Sequence, residues 1–148
     1  MKTVYTLLFL FVAHLGFAQS STKADEITGI WLTGSTNAKV QIYKSGNTYQ
    51  GKIVWLKEPI DPKTNKAKTD TNNPKNEAKS RPLMGLVNIW GFAYVGDNTW
   101  GNGHIYDPKN GKQYKCIITL INKNTLNVRG YIGISLIGRD DTWTRSQL

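Results

Sequence analysis

The chain has 148 residues, with 19 Lys and Arg against 10 Asp and Glu, a formal net charge of +9, two His and one Cys. That length suffices for one domain with a real core; a single Cys excludes an internal disulfide, and with so few His it nearly excludes zinc or iron chemistry. The positive charge would suit nucleic acid, anionic lipid or acidic glycan, but the lysines are scattered without forming a stripe, and an exported chain meets envelope polyanions rather than nucleic acid.

Export is expected from residues 1–18, which read as a signal peptide. Met1 and Lys2 supply a charged start, Thr3 to Leu15 an apolar run broken only by Thr and His14, and Gly16-Phe17-Ala18 the small residues at alternate positions that a signal peptidase reads. The run is shorter than the roughly 20 residues that span a bilayer, and no Cys follows it for lipid attachment. Cleavage after Ala18 removes 18 of 148 residues to leave 130, and loss of Lys2 lowers the net charge from +9 to +8. The expected product is a secreted or periplasmic monomer without a transmembrane segment, with residues 19–26 as a flexible lead-in and 27–148 as one domain.

From there the chain reads as all-β. Trp, Tyr, Ile, Val and Thr come in short runs separated by Gly, Asn, Asp and Pro, which predicts strands at 28–33, 39–44, 48–56, 85–94, 99–106, 112–121, 125–132 and 141–146. Ser45-Gly46-Asn47, Gly96-Asp97-Asn98 and Asn122-Lys123-Asn124 supply residues that tolerate positive φ or bond their own backbone, as tight hairpins require. In Asp107-Pro108-Lys109-Asn110-Gly111, Pro presets φ and Gly takes the left-handed position. Glycines inside strands at 51, 91, 101, 103 and 130 fit the sharp coiling of a small barrel. The fold class predicted is a single antiparallel up-and-down β-barrel of about eight strands. Gly29-Ile30-Trp31 opens it and Trp143-Thr144-Arg145 nearly closes it; because a barrel joins its first strand to its last, Gly29, Trp31, Trp143 and Arg145 are assigned to barrel closure.

Alternation assigns faces. Tyr49, Gly51, Ile53 and Trp55 share one; Leu86, Asn88, Trp90, Phe92 and Tyr94 share another; and Trp100, Asn102, His104 and Tyr106 a third, which pairing would bring against the second. One segment breaks the rhythm: residues 57–80 carry Pro59, Pro62 and Pro74 and six lysines, a long loop expected to be a lid, a binding loop or an excursion, with one helical turn near residues 76–79.

Catalysis finds little support. His104 and Cys116 lie about a hairpin apart, but a Cys among Tyr114, Ile118 and Leu120 reads as a core hydrophobe, and Gly133-Ile134-Ser135 is followed by Leu136 where a nucleophile elbow needs Gly. Asp70-Thr71-Asn72 lacks the central Gly and distal Glu of a calcium loop and reads as an Asx turn, and no spacing selects a glycosidase pair among the acids. No catalytic residue, metal or cofactor is expected.

Several ordered motifs resemble the bacterial domain of unknown function 2147: residues 49–55 (Tyr-Gln-Gly-Lys-Ile-Val-Trp), Asp70 with Asn73-Pro74, Arg81-Pro82-Leu83 with Gly85, and Trp100 with Gly103-His104-Ile105-Tyr106-Asp107-Pro108. The match continues through Gly111, Tyr114, Leu126, residues 128–133, Gly138-Arg139, Trp143 and Arg145. The resemblance implies an exported, lipocalin-like barrel of calycin type and no reaction. Gly29-x-Trp31 with the late Arg145 is similar to the calycin closing signature at the end opposite the ligand mouth, whereas the long loop follows the third strand rather than the first, where the lipocalin lid lies.

The function expected is binding of a small apolar or amphipathic ligand in or near the barrel, by Trp55, Trp90, Phe92, Trp100, His104 and Tyr106, with Arg81 anchoring an anionic head group. The alternative is a surface module for an envelope glycan or protein, using Arg129, Arg139 and the lysines of residues 57–79.

Overall fold

A computed structural model describes residues 22–148, so the expected signal peptide lies outside the described residues. Eight strands close into an antiparallel barrel: β1 (Gly29–Leu32), β2 (Ala38–Ser45), β3 (Thr48–Leu56), β6 (Val87–Gly96), β7 (Thr99–Asp107), β8 (Lys112–Asn122), β9 (Thr125–Tyr131) and β10 (Gly138–Ser146). Two-residue strands β4 (Ile60–Asp61) and β5 (Lys66–Ala67) form a separate hairpin in the long loop. Around the barrel the order is β1-β10-β9-β8-β7-β6-β3-β2, with β2 returning to β1. All eight predicted strands are present, joined by the predicted turns, because each turn carries its own local chemistry: Asp97 and Asn98 adopt positive φ, and Asp107 accepts from the amide of Lys109 at 2.9 Å.

Closure occurs where the sequence puts it. Trp31 pairs with Arg145 across β1 and β10, and the Arg145 guanidinium lies 4.1 Å from the Trp31 ring centroid. Its nitrogens donate to the carbonyls of Thr28 and Glu26 at 2.9 Å each and of Lys123 at 2.6 Å. Lys23–Ile27, assigned partly to a flexible lead-in, is a 3-10 turn beneath this end, with Ile27 fully buried. Three aromatics turn their polar atoms to it: Trp31 Nε1 donates to the Ile27 carbonyl (2.9 Å), Trp100 Nε1 to the Ala24 carbonyl (3.1 Å) and the Tyr49 hydroxyl to Asp25 (2.6 Å). Burial and the Asp25 carboxylate push the Tyr49 phenol up to about 12.

The interior is packed with Trp31, Trp100, Trp143, Phe92, Ile42, Ile89, Ile118, Leu126 and their neighbours. Cys116 belongs to this core, and burial pushes its thiol up to about 12. Two strands abandon simple alternation. Gly91 has φ +77° and Asn102 φ +60°, and a Cβ on Gly91 would lie 3.6 Å from the Asn102 carbonyl, so β6 and β7 bulge opposite one another. Ile89 and Phe92 therefore both face inward although three positions apart, and so do Trp100 and Gly103; the Phe92 ring fills the space where a Cβ on Gly103 would stand. Trp90, His104 and Tyr106 are turned to the outer wall.

Arg145→Ala would leave three carbonyls without their donor and Trp31 without its cation. The expected loss is about 3 kcal/mol, from charged hydrogen bonds at roughly 1.5–3 kcal/mol each, offset by water reaching the exposed part of the site. Urea denaturation followed by Trp emission measures it; a loss below about 1 kcal/mol would mean that closure is held by strand pairing alone.

Candidate functional site

The long loop is built, not loose. Within it β4 and β5 pair Ile60 with Ala67 and Asp61 with Lys66, Thr69 bridges to Pro82, and Asn76–Ala78 forms the expected helical turn. It folds back over the outer face of β7 and β8: Asn72 donates to the carbonyls of Pro108 and Lys109 at 3.1 and 3.0 Å, and only a glycine at position 111 leaves room for its backbone.

Asp70 fastens this loop. Its carboxylate is fully buried and receives the Tyr106 hydroxyl at 2.6 Å on Oδ1, with Asn73 Nδ2 at 2.8 Å, Arg81 Nε at 2.9 Å and Arg81 Nη2 at 2.8 Å on Oδ2. Burial pushes the carboxyl up, but the hydrogen bonds from Tyr106, Asn73 and Arg81, with the Arg81 charge, outweigh it and hold the group below its ordinary 3.8. Burial and the same carboxylate raise the Tyr106 phenol.

Between loop and wall lies an open cleft of about 340 Å³, lined by Asn73, Pro74, Lys75, Ala78 and Arg81 on the loop side and by Val87, Trp90, Tyr106, Gly111 and Gln113 on the barrel side. Its volume is at the lower end of the range for small-molecule sites. Trp90 and His104 pair across β6 and β7 and stack with ring centroids 5.7 Å apart and planes 14° apart. Past Gln113 a second cleft, about 240 Å³, is lined by His104, Tyr114, Lys115, Tyr131 and Ile132. The wall thus presents a flat aromatic step between two hollows, with cations at Lys75, Arg81 and Lys115. Asn88 Oδ1, on β6 beside Val87, is buried without a hydrogen-bond partner.

The residues expected to share a ligand surface are divided by the bulges. Arg81, Trp90, His104 and Tyr106 come together on the outer wall. Phe92 and Trp100 do not join them: they are buried in the core, and Trp100 spends its indole N–H on Ala24. Trp55 is displaced as well, because a register shift between β2 and β3 sets it opposite Lys39, whose Nζ lies 5.2 Å from its ring centroid. Cys116 and His104 do not meet; Cys116 pairs with Gly103 and faces the core, while His104 pairs with Lys115 and faces out. Among the described residues no three His, Cys, Asp or Glu side chains converge. Asp70, Asn73, Gln113 and Lys115 lie outside the ligand surface the sequence predicts, and Lys75 enters there only among the lysines of residues 57–79; the signal for the clamp is Asp70 with an Asn three positions on and an Arg eleven on, residues that the family motifs also contain.

These features can be set beside known proteins. A family described as "Uncharacterized protein conserved in bacteria (DUF2147)" matches residues 29–145. The chain belongs to this family. The solved structure titled "Protein HP1028 from the human pathogen Helicobacter pylori belongs to the lipocalin family" is similar to it with a TM-score of 0.68, at 22% identity over 81% of this chain and 82% of that one. At that identity the likeness establishes the lipocalin-like barrel fold. No curated protein matches the chain.

Asp70→Asn keeps the shape and removes the charge. At neutral pH it is expected to cost about 2 kcal/mol, because the buried carboxylate's charged hydrogen bonds are lost while the half-exposed Arg81 guanidinium can turn to water. A carboxyl held below its ordinary value contributes stability above that value and loses it as pH falls through the lowered one. The gap between native and variant urea midpoints should therefore be full at pH 7 and shrink only below 3.8; a gap that is constant with pH would contradict the clamp.

Proposed function

We propose that this DUF2147 protein is an exported, non-catalytic binder of a small amphipathic molecule with an anionic head, and that the ligand lies against the outer wall of the barrel under the loop that Asp70 fastens. The observation that carries this reading is the gathering of Arg81, Trp90 and Tyr106 around one cleft, with Lys75 beside them and His104 stacked on Trp90 at the edge of the second hollow. An aromatic step takes an apolar chain or ring by area burial, and the loop cations favour an acidic head. Arg81 reaches the cleft with one edge committed to Asp70, so Lys75 is the cation freer to bind. Export rests on the signal-peptide reading of residues 1–18, and an exported monomer accords with a barrel whose described residues contain no helix long and apolar enough to cross a membrane.

Decanoate, with decanol as its uncharged counterpart, tests the cleft through Trp emission. Trp90→Ala should weaken decanoate binding about tenfold, or about 1.4 kcal/mol, and Lys75→Gln should reduce the preference for decanoate over decanol while sparing the fold. Equal binding by Trp90→Ala and native protein would sink the assignment. Salt-sensitive retention on dextran sulfate without any decanoate response would favour instead the surface-module reading, for which the lysines of residues 57–79 are the relevant observation.

Export has its own check. The protein recovered from the periplasm of a Gram-negative host should begin at Gln19 on N-terminal sequencing, and a start at Met1 would remove the basis for an envelope ligand.

A further inference from the structure

The loop between β9 and β10 places Ile132, Ile134, Leu136 and Ile137 at 69, 59, 84 and 73% exposure. Four branched aliphatic side chains in six residues, all in water, form an apolar tip of the kind that soluble surfaces rarely leave uncovered. It lies at the barrel end opposite Arg145, beside the turn of β7 and β8.

The tip is held out. Arg129, on the outer face of β9, donates from Nε to the Ser135 carbonyl at 2.7 Å and from Nη2 to the Leu136 carbonyl at 3.2 Å, while Nη1 pairs with Asp140. The Ile137 amide closes a turn on the Ile134 carbonyl at 3.2 Å, and Gly133 takes φ +78°. One guanidinium thus satisfies the loop's inner carbonyls and its own charge is met by Asp140. The aliphatic side chains gain nothing from this arrangement in water, since none of the bracing contacts covers them.

A cationic collar surrounds the base of the tip. Lys112, Lys115 and Arg139 are exposed, Lys115 pairs with Tyr131 across β8 and β9, and Tyr114 and Tyr131 line the hollow that also contains Ile132. An apolar point, then amphipathic tyrosines, then cations is the order in which a bilayer presents acyl chains, the interfacial zone and acidic head groups. We propose that the β9–β10 loop docks the protein on an anionic lipid surface, with Ile134, Leu136 and Ile137 entering the acyl boundary and Lys112, Lys115 and Arg139 meeting the head groups. A lipid leaflet is favoured over a protein partner by this layering, because a protein groove would select the apolar tip without requiring a base of net positive charge, where Lys112, Lys115 and Arg139 outnumber Asp107, and Asp140 is already paired with Arg129. The inference stands on this loop and not on the wall cleft.

Full-length protein is mixed with vesicles of phosphatidylcholine and phosphatidylglycerol, or of phosphatidylcholine alone, and the bound fraction is read by flotation. Binding should require phosphatidylglycerol and fall as salt rises. Ile134→Ser/Leu136→Ser should lower vesicle affinity about tenfold, and Lys115→Gln/Arg139→Gln should lower it severalfold and flatten the salt dependence. Native protein and variants share one N-terminus, so the comparison isolates the loop, and unchanged thermal unfolding verifies that these exposed substitutions leave the barrel intact. Ile134→Trp gives a second readout: its added emission should shift to the blue on phosphatidylglycerol vesicles and be quenched by lipids brominated on the acyl chains. Native-level binding by Ile134→Ser/Leu136→Ser, no binding by the native chain, or a dimer in sedimentation that this variant dissolves would each overturn the proposal.

Discussion

Pairing of β1 with β10 is the constraint from which the rest of the molecule follows. A sheet of eight strands left open would expose two rows of unpaired amides and carbonyls; closed, it encloses an interior that side chains can just fill. Here they do fill it, with Trp31, Trp100 and Trp143 buried together with the aliphatic core. Arg145 seals the join because a guanidinium can stack on Trp31 and still donate to three carbonyls lying on different segments. A lysine has neither the planar face nor the fork. Once the inside is occupied, the concave surfaces left for recognition are those made by loops against the wall.

Asp70 makes the larger of those surfaces. A carboxylate with no exposure carries a desolvation cost of several kcal/mol that only dense hydrogen bonding repays, and Tyr106, Asn73 and Arg81 together provide it. Tyr106 is a wall residue while Asp70, Asn73 and Arg81 belong to the loop, so satisfying one buried charge fixes the loop on the wall. The geometry of the cleft is thereby a consequence of electrostatics rather than of apolar packing, which explains how a lysine-rich segment with two very short strands can have a definite position.

Strand number, turns and closure were legible in the sequence because each depends on local chemistry: Asn and Gly in the hairpins, β-branched and aromatic runs between them, and Trp31 with Arg145 at the two ends. The family resemblance added the lipocalin-like description. Side-chain direction was legible only where alternation is unbroken, as in Leu126, Val128 and Gly130. The bulges at Gly91 and Asn102 each insert one residue, and one residue is enough to turn a strand's face over. That is why Trp90 and Phe92, or Trp100 and His104, fall on opposite sides of the sheet although their spacing is even. In-strand glycines signalled irregularity in advance, but not which neighbours it would separate. The clamp escaped for a different reason: Asp70 and Tyr106 are 36 residues apart, and nothing local distinguishes a carboxylate that will be buried from one that caps a turn.

The two ends of the barrel differ in how they use their polar groups, and this difference gives the molecule a direction. At the closed end the indoles of Trp31 and Trp100, the Tyr49 phenol and the Arg145 guanidinium are all spent on the 3-10 turn and its neighbours. At the other end the internal bonding serves a different purpose: Arg129 secures the β9–β10 backbone and Asp70 ties its loop to the wall through the Tyr106 side chain, and Ile134, Leu136 and Lys75 are left facing solvent. Stabilising contacts that hold apolar and cationic groups outward cost the folded state some of the burial it could otherwise gain. A sequence selected for stability alone would turn Ile134 and Leu136 inward or replace them, so the two surfaces proposed for recognition, at the open end and along the adjoining wall, lie apart from the end where Arg145 and the 3-10 turn concentrate their stabilising bonds.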